Sequence, residues 1–419
     1  MGHSRQPVVY TVLIAPFGAV TGFVSVALAF MATKKGLTVG QGAELIAIGM
    51  LPNVWKFFWA PVTDMTLSRR KWYLISLVLC AVGTFATAAV PLRPSNFLLV
   101  QAIIFATSVA ATVLGFAVEA MMAKHTLPAD RGRVSGWYQA GNLGGTGIGG
   151  GLGLWLLTQL PSPAQTGLIL AALMLFCGAV VPLLPDVPAE DRGESVAGAV
   201  RNVASQVWRM GRMREGALSA FLCFLPLGTG AAAGVLAQAD VAAHWGADSR
   251  HVELVQGFLG GLVSMVGCIV GGYGCSRIGS RVAYAAYGGI MAAVTAAMAF
   301  LPATPSIYVG GNIAYFFVNG LCYASFSAVV LDAIGTGLAA TKYNVFASLS
   351  NTPIWYMGLL LAAVETRLGP KGMLLAESAF GILGILAFMA AAQVWRPKAA
   401  VPPATNGAWE GGVAQTSGD

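Results

Sequence analysis

Lys56 stands among aromatic residues in the stretch from Leu51 to Asp64, LPNVWKFFWAPVTD, at the end of an otherwise apolar run. An ammonium placed deep in apolar surroundings costs about 3 kcal/mol on insertion scales, and such groups usually face a wet cavity or a partner. Lys56 is therefore a candidate to meet an anionic group or a titrating carboxylate. The alternative is that its long stem carries the charge back to the polar boundary. Asn53 lies one turn earlier and would extend a polar patch on the same helical face. Asp64 follows, and then the basic cluster Arg69, Arg70 and Lys71. Two further acids, Glu119 and Asp332, each close an apolar run. Their chemistry suits proton-linked gating, with arginines such as Arg131 or Arg277 as exchangeable partners. Static ion pairs at helix ends are the simpler reading.

Neutral polar residues form stripes. Tyr308, Asn312, Tyr315, Asn319 and Tyr323 are spaced by 4, 3, 4 and 4, which keeps one helical face. Asn and Tyr both donate and accept hydrogen bonds, so the face suits either a bound solute or neighbouring helices. Asn344, Ser348, Asn351 and Trp355 make a weaker second stripe, and Gln139 with Asn142 a short third. The segment GNLGGTGIGGGLG, Gly141 to Gly153, lacks the ending of a phosphate loop. Its glycines at 141, 145, 149 and 153 instead form a face for close helix approach. The six cysteines are scattered through apolar runs and form no CxxC pair; the four histidines fall in expected loops or termini. No metal, no cofactor and no catalytic set is expected.

These residues need elements to hold them. Hydrophobic residues make up 56% of the 419 and charged residues 10%, with a mean hydropathy of +0.71. A soluble domain carries roughly 25% charged residues. The surface therefore faces lipid, and the net charge of +7 is read as loop cations at anionic headgroups, not as a nucleic-acid patch. Twelve runs are long enough to span, near 8–31, 41–62, 72–90, 96–122, 133–157 and 165–184, then 217–238, 252–274, 281–301, 305–332, 343–364 and 371–393. The first is too long for a cleavable leader. With both termini inside, 17 Lys and Arg face the cytoplasm, six face outside, and Lys56 lies within a span. That bias obeys the positive-inside rule and places the chain in a cell membrane as a multi-pass protein, a bacterial inner membrane being the expected one.

The only long internal connection, Pro185 to Glu215, reads as a polar linker followed by an amphipathic helix. It separates residues 1–184 from 216–396, and the tail 397–419 reads as disordered. The two parts repeat. Pro16-Phe17-Gly18 answers Pro226-Leu227-Gly228 at an offset of 210, Asp64 answers Ser276 at 212, and Glu119 answers Asp332 at 213. The expected fold is all-α, with twelve transmembrane helices in two pseudo-symmetric six-helix bundles.

The loop GGYGCSRIGSR, with Arg277 and Arg281, resembles the G-x-x-x-D-R-x-G-x-R pattern of the major facilitator superfamily, with Ser276 at the acid position. The first copy keeps its acid, Asp64, and its cations but not the glycine spacing. More narrowly, GMLPNVWKFFWAPVTD and ATKYNVFASLSN are similar to signatures of AmpG-type permeases, the peptide/acetyl-CoA/drug transporter family, with Lys342 where that pattern has glutamine. The resemblance implies alternating access by two bundles rocking around a central site. It implies a proton-coupled importer of a bulky, partly anionic solute, and the short chain fits the siderophore-import branch. Muropeptide, acyl-CoA-like and drug-like solutes are the alternatives within the family. The proline of the antiporter signature in the fifth span is absent, which favours symport or uniport. A monomer with a small-molecule solute, protons and lipid as its partners is expected. A membrane enzyme would need convergent catalytic groups on one side, and a non-transporting receptor on the same fold would bind without flux.

Overall fold

Proline and glycine decide which of the apolar runs become unbroken helices. The computed structural model describes residues 7–35, 37, 39–189, 196–334 and 338–394. Among these, eight helices are long and apolar enough to cross a membrane. One of them, Ala339–Val394 (α13), holds two crossings joined at Gly369, whose φ of +70° suits glycine. The three remaining crossings of the twelve-helix fold escape a length-and-hydropathy test for local reasons.

The second crossing is interrupted. Val39–Trp55 (α2) gives way to a tight turn at Lys56–Phe58 and then to Ala60–Met65 (α3). Pro61 has no N–H to give to the carbonyl of Phe57, so the ladder fails there. The fifth crossing starts as Arg131–Gly147 (α6), where polar and glycine residues lower the hydropathy, and continues through a wide turn at Ile148–Leu152. The seventh begins as Arg214–Phe224 (α9) and unwinds across 225–231, where Gly228 and Gly230 take φ of +53° and +68°. It resumes as Ala232–Leu236. The repeat therefore diverges at its first landmark: Pro16 lies inside the continuous helix Val8–Ala32 (α1), whereas Pro226 lies in unwound chain.

The other crossings are Arg69–Ala89 (α4), Phe97–His125 (α5), Pro163–Cys177 (α7), Gly260–Ile278 (α10), Ser280–Phe300 (α11) and Pro305–Ala333 (α12). Between the halves, Val196–Arg212 (α8) is helical as its pattern predicts. Its exposed Trp208 carries the Arg212 guanidinium 5.4 Å above its ring. His125 ends α5 and His251 lies in the short helix Ser249–Leu254, so neither is a loop residue as expected. The tail from residue 397, with the part of the linker at 190–195, lies outside the described residues.

The glycine face of α6 does what its spacing predicts. A Cβ on Gly141, Gly145 or Gly149 would sit 2.2, 2.3 or 2.0 Å from the carbonyl oxygens of Thr11, Ala15 and Ala19. α1 returns the approach at Gly18 and Gly22, each 2.0 Å from a carbonyl oxygen of α6 by the same measure. Backbones this close gain dispersion along their whole length. Across the halves, α6 meets α10 in the same manner. A Cβ on Gly136 would lie 2.8 Å from the Gly272 Cα, and one on Gly261 2.5 Å from the Gly147 Cα.

Candidate functional site

The break in the second crossing positions Lys56. The turn at 56–58 packs against both α2 and α13, so Lys56 sits where the two halves meet. Trp59 Nε1 donates to Thr112 Oγ1 of α5 at 3.0 Å and fastens the break to that helix. Lys56 is only 9% exposed, which rules out the snorkelling alternative. Its charge interacts with that of Glu119 on α5, and its ammonium makes no hydrogen bond to another described residue.

Glu119 is buried and spans the halves. Tyr138 of α6 donates to its Oε1 at 2.8 Å, and Asn344 of α13 donates to its Oε2 at 2.6 Å. The expected arginine partner is not there: Lys56 supplies the positive charge. Tyr343, beside Tyr138 in an edge-on contact with ring centroids 6.2 Å apart, is hydrogen-bonded to Ser327. Asn344 Oδ1 and Ser348 Oγ, on the same face of α13, are buried without a partner.

Closer to the start of α13, Thr341 meets the fully buried Asp64. The Asp64 Oδ2 accepts from Thr341 N at 2.8 Å and Thr341 Oγ1 at 2.7 Å, and its Oδ1 faces Ala340 N at 3.4 Å. A carboxylate on first-turn N–H groups is favoured by the helix dipole. Arg69 pairs with the same carboxylate at 3.0 Å and donates to the Thr63 and Asp64 carbonyls. The second half answers with Ser276, whose Oγ accepts from Arg133 N at 3.1 Å near the start of α6. Asp332 completes the set, paired with Arg131 at 3.1 Å and accepting from Ser280 Oγ at 2.5 Å. The end of crossing 2 thus holds the start of 11, and the end of crossing 8 holds the start of 5. The acid of crossing 4 reaches 11, and the acid of 10 reaches 5. All four contacts lie at the end of the molecule that carries the basic loops.

Three expected gate residues do not join the halves. Arg70 bonds Asp186 at the start of the linker and the Leu184 carbonyl of the first half, at 3.0 and 2.8 Å. Asp186 lies outside the crossings; its partial burial would raise its pKa, but Ser68, the N–H groups of Arg70 and Val187 and the Arg70 charge outweigh that and hold it low. Arg281 bonds Glu215 at the end of the linker and Ser219 of the second half, and Arg277 is exposed.

The stripe on α12 is mostly taken up by neighbouring chain. Tyr308 donates to the Leu236 carbonyl at 2.7 Å, Asn312 donates to the Tyr308 carbonyl and accepts from Gln256, and Tyr315 donates to Glu377 at 2.8 Å. Asn319 and Tyr323 are half-buried, and Asn319 Oδ1 has no partner. Gln139 is buried and accepts from Asn142 at 3.0 Å. Asn53 and Asn351 are half-buried, while Trp355 is 67% exposed and stands away from the buried set. Sequence reasoning passed over Tyr138, Thr341 and Glu377. The signal for Glu377 was a lone acid in the apolar run GMLLAESAFGILGILAF.

The family model described as Major Facilitator Superfamily matches residues 11–354. No curated protein matches the sequence. Among solved structures, the human organic anion transporter MFSD10 (TETRAN) superposes with a TM-score of 0.67 at 18% identity, covering 93% of this chain and 100% of that one. The E. coli fucose:proton symporter FucP gives 0.70 at 15% identity, covering 93% and 99%. A bacterial homologue of the iron transporter ferroportin, in an outward-facing state, gives 0.62 at 14%, covering 94% and 100%. At these identities the likeness is one of fold.

Proposed function

Because the chain belongs to the major facilitator superfamily, we propose that it works as a secondary active transporter, importing a bulky, partly anionic solute with protons by alternating access. The observation that carries this reading is the buried Lys56 and Glu119 set, made by one half and closed by Asn344 of the other. A cation and an acid in such a place need each other. A solute anion arriving at the unbonded Lys56 ammonium would compete with Glu119 for it, and a proton taken up by Glu119 would leave Lys56 to the anion. Neutralising the carboxylate would also weaken its bonds to Tyr138 and Asn344, since charge-assisted hydrogen bonds are roughly twice as strong as neutral ones. Proton uptake, anion binding and release of the contact between halves are then one event.

Lys56, Asn53, Gln139, Asn142 and the free edges of Asn319, Tyr323 and Asn351 are proposed as solute-facing groups. Asp64, Arg69, Glu119, Arg131 and Asp332 are proposed as gate residues. The excess of basic loops at the closed end supports placing that end in the cytoplasm, which makes the described state one closed to the cytoplasm. A ferric siderophore is the proposed solute, on the similarity of the Lys56 and Ala340–Asn351 stretches to AmpG-type permeases.

The test is uptake into proteoliposomes under an inward proton gradient, with ferric siderophores and anhydro-muropeptides as the panel. Siderophore accumulation that collapses with the gradient and is lost in Lys56→Ala is the expected result. Uptake indifferent to the gradient would refute proton coupling. Uptake of muropeptide alone would refute the siderophore. Binding without flux would refute transport.

A further inference from the structure

Glu377 sits on the second crossing of α13, 5% exposed, and no part of the gate uses it. Its Oε1 accepts from Tyr315 OH at 2.8 Å and faces the Ala232 N–H at 3.4 Å. The same N–H donates to the Tyr315 oxygen at 3.1 Å. Ala232 is where the seventh crossing resumes after its unwound segment. Three elements therefore meet at one carboxyl oxygen. The other oxygen, Oε2, is buried and has no hydrogen-bond partner. No lysine, arginine or histidine among the described residues pairs with this carboxyl. The titratable groups that face it are Tyr315 and Cys322 of α12, both acids. A buried carboxylate with one bare oxygen and no cation is the costly arrangement that proteins avoid.

We propose that Glu377 is a proton-binding site, with the proton carried on Oε2 and the occupancy of that site controlling how firmly the resumed part of crossing 7 is tied to crossings 10 and 12. Protonation converts Oε2 from an orphaned acceptor into a donor. Asn319 Oδ1, one turn along α12 from Tyr315, is a second buried acceptor without a donor, and it lies against Gly230 of the same unwound segment. A proton on Oε2 removes the charge that this oxygen otherwise carries without a donor. Loss of the proton restores full charge at Oε1 and tightens its bonds to Tyr315 and Ala232. Gain of the proton loosens them. The unwound segment 225–231, with its two left-handed glycines, is where such a change would be taken up.

The inference rests on the transporter reading for its role in coupling but not for its test. Difference infrared spectra of the purified protein, acid minus alkaline, are recorded in sodium-free buffer. The expected result is a protonated-carboxyl C=O band that appears on acidification, is absent in Glu377→Gln and moves to higher frequency in Tyr315→Phe, because the Tyr315 hydrogen bond to that group is gone. Glu119→Gln, measured alongside, removes a different band. A spectrum in which Glu377→Gln removes no such band overturns the proposal. So does a carboxylate signal from Glu377 that responds to added sodium, which would make the site one for a metal cation. Failure of every solute to cross the membrane would refute the transporter reading and leave the infrared assignment standing.

Discussion

Thr341→Val isolates the contact between the halves. The substitution keeps shape and β-branching and removes one bond, from Thr341 Oγ1 to Asp64 Oδ2 at 2.7 Å. The Asp64 side chain is 0% exposed and Thr341 1%, so the loss is not discounted by solvent. A hydrogen bond to a charged group contributes about 1.5–3 kcal/mol. This one joins the first half to the second, so its loss falls on the state closed at the basic end and not on either half alone. At about 1.4 kcal/mol per tenfold change, the closed-to-open ratio should fall by roughly 10- to 150-fold. A population closed about 99 times in 100 would drop to between about 91 and 40 in 100. Spin labels on the exposed Leu67 and Val282, one per half, in a Cys177→Ser background, report the separation by pulsed dipolar spectroscopy. A longer-distance population should appear in Thr341→Val. An unchanged distance distribution would refute the reasoning, as would a loss of thermal stability with no new distance.

Arg131→Ala should have a far smaller effect in the same assay, about 1 kcal/mol or less and reduced by salt, because Arg131 and Asp332 are 27% and 38% exposed. An Arg131 effect equal to that of Thr341→Val would contradict the burial argument. Gly145→Val should prevent a stable fold, since even a Cβ would meet the Ala15 carbonyl oxygen at 2.3 Å; thermal unfolding in detergent reads this, and a wild-type melting temperature would refute the α1–α6 contact. Asp186 is held below the ordinary carboxylate range, so its contribution is present at neutral pH and lost as the pH falls below about 4. Asp186→Asn should therefore lower the melting temperature at neutral pH, the gap to wild type closing in acid; a gap that persists in acid would contradict the sign.

Most of the architecture was legible because membrane helices announce themselves by length and apolarity, and because the α6 glycines recur every fourth residue. The three crossings that fail that test are interrupted by Pro61, by the left-handed Gly228 and Gly230 of the unwound segment 225–231, and by the polar start of α6. The acids at 64, 119 and 332 were found because repeats place them at matching ends. Arg131 and Arg69, which pair with Asp332 and Asp64, were among the cations named beside them; the partners of Glu119 were not. Glu119 takes Lys56 from 63 positions earlier and Asn344 from 225 positions later, and no local pattern encodes such distances. The α12 stripe does form one face, but spacing alone does not tell a solute from a neighbouring helix, and Tyr308 and Tyr315 have chosen the helix. Trp355 was named on spacing alone and is 67% exposed, apart from the buried set, a position that suits an aromatic ring facing lipid as well as one facing solute.

The bare contact between α6 and α10 has a consequence for speed. Where helices interlock through large side chains, any relative motion must lift each knob out of its hole, and every lift is a separate barrier. Gly136 against Gly272 and Gly147 against Gly261 present main chain to main chain, and between them the flexible Met265 rests against Gly144. In the proposed transport cycle such a contact would act as a bearing, fixing an axis, keeping the halves together and offering little friction to rotation about it. On that proposal the barriers to turnover would reside in the few polar latches at the rim, where a proton or a solute would act on them.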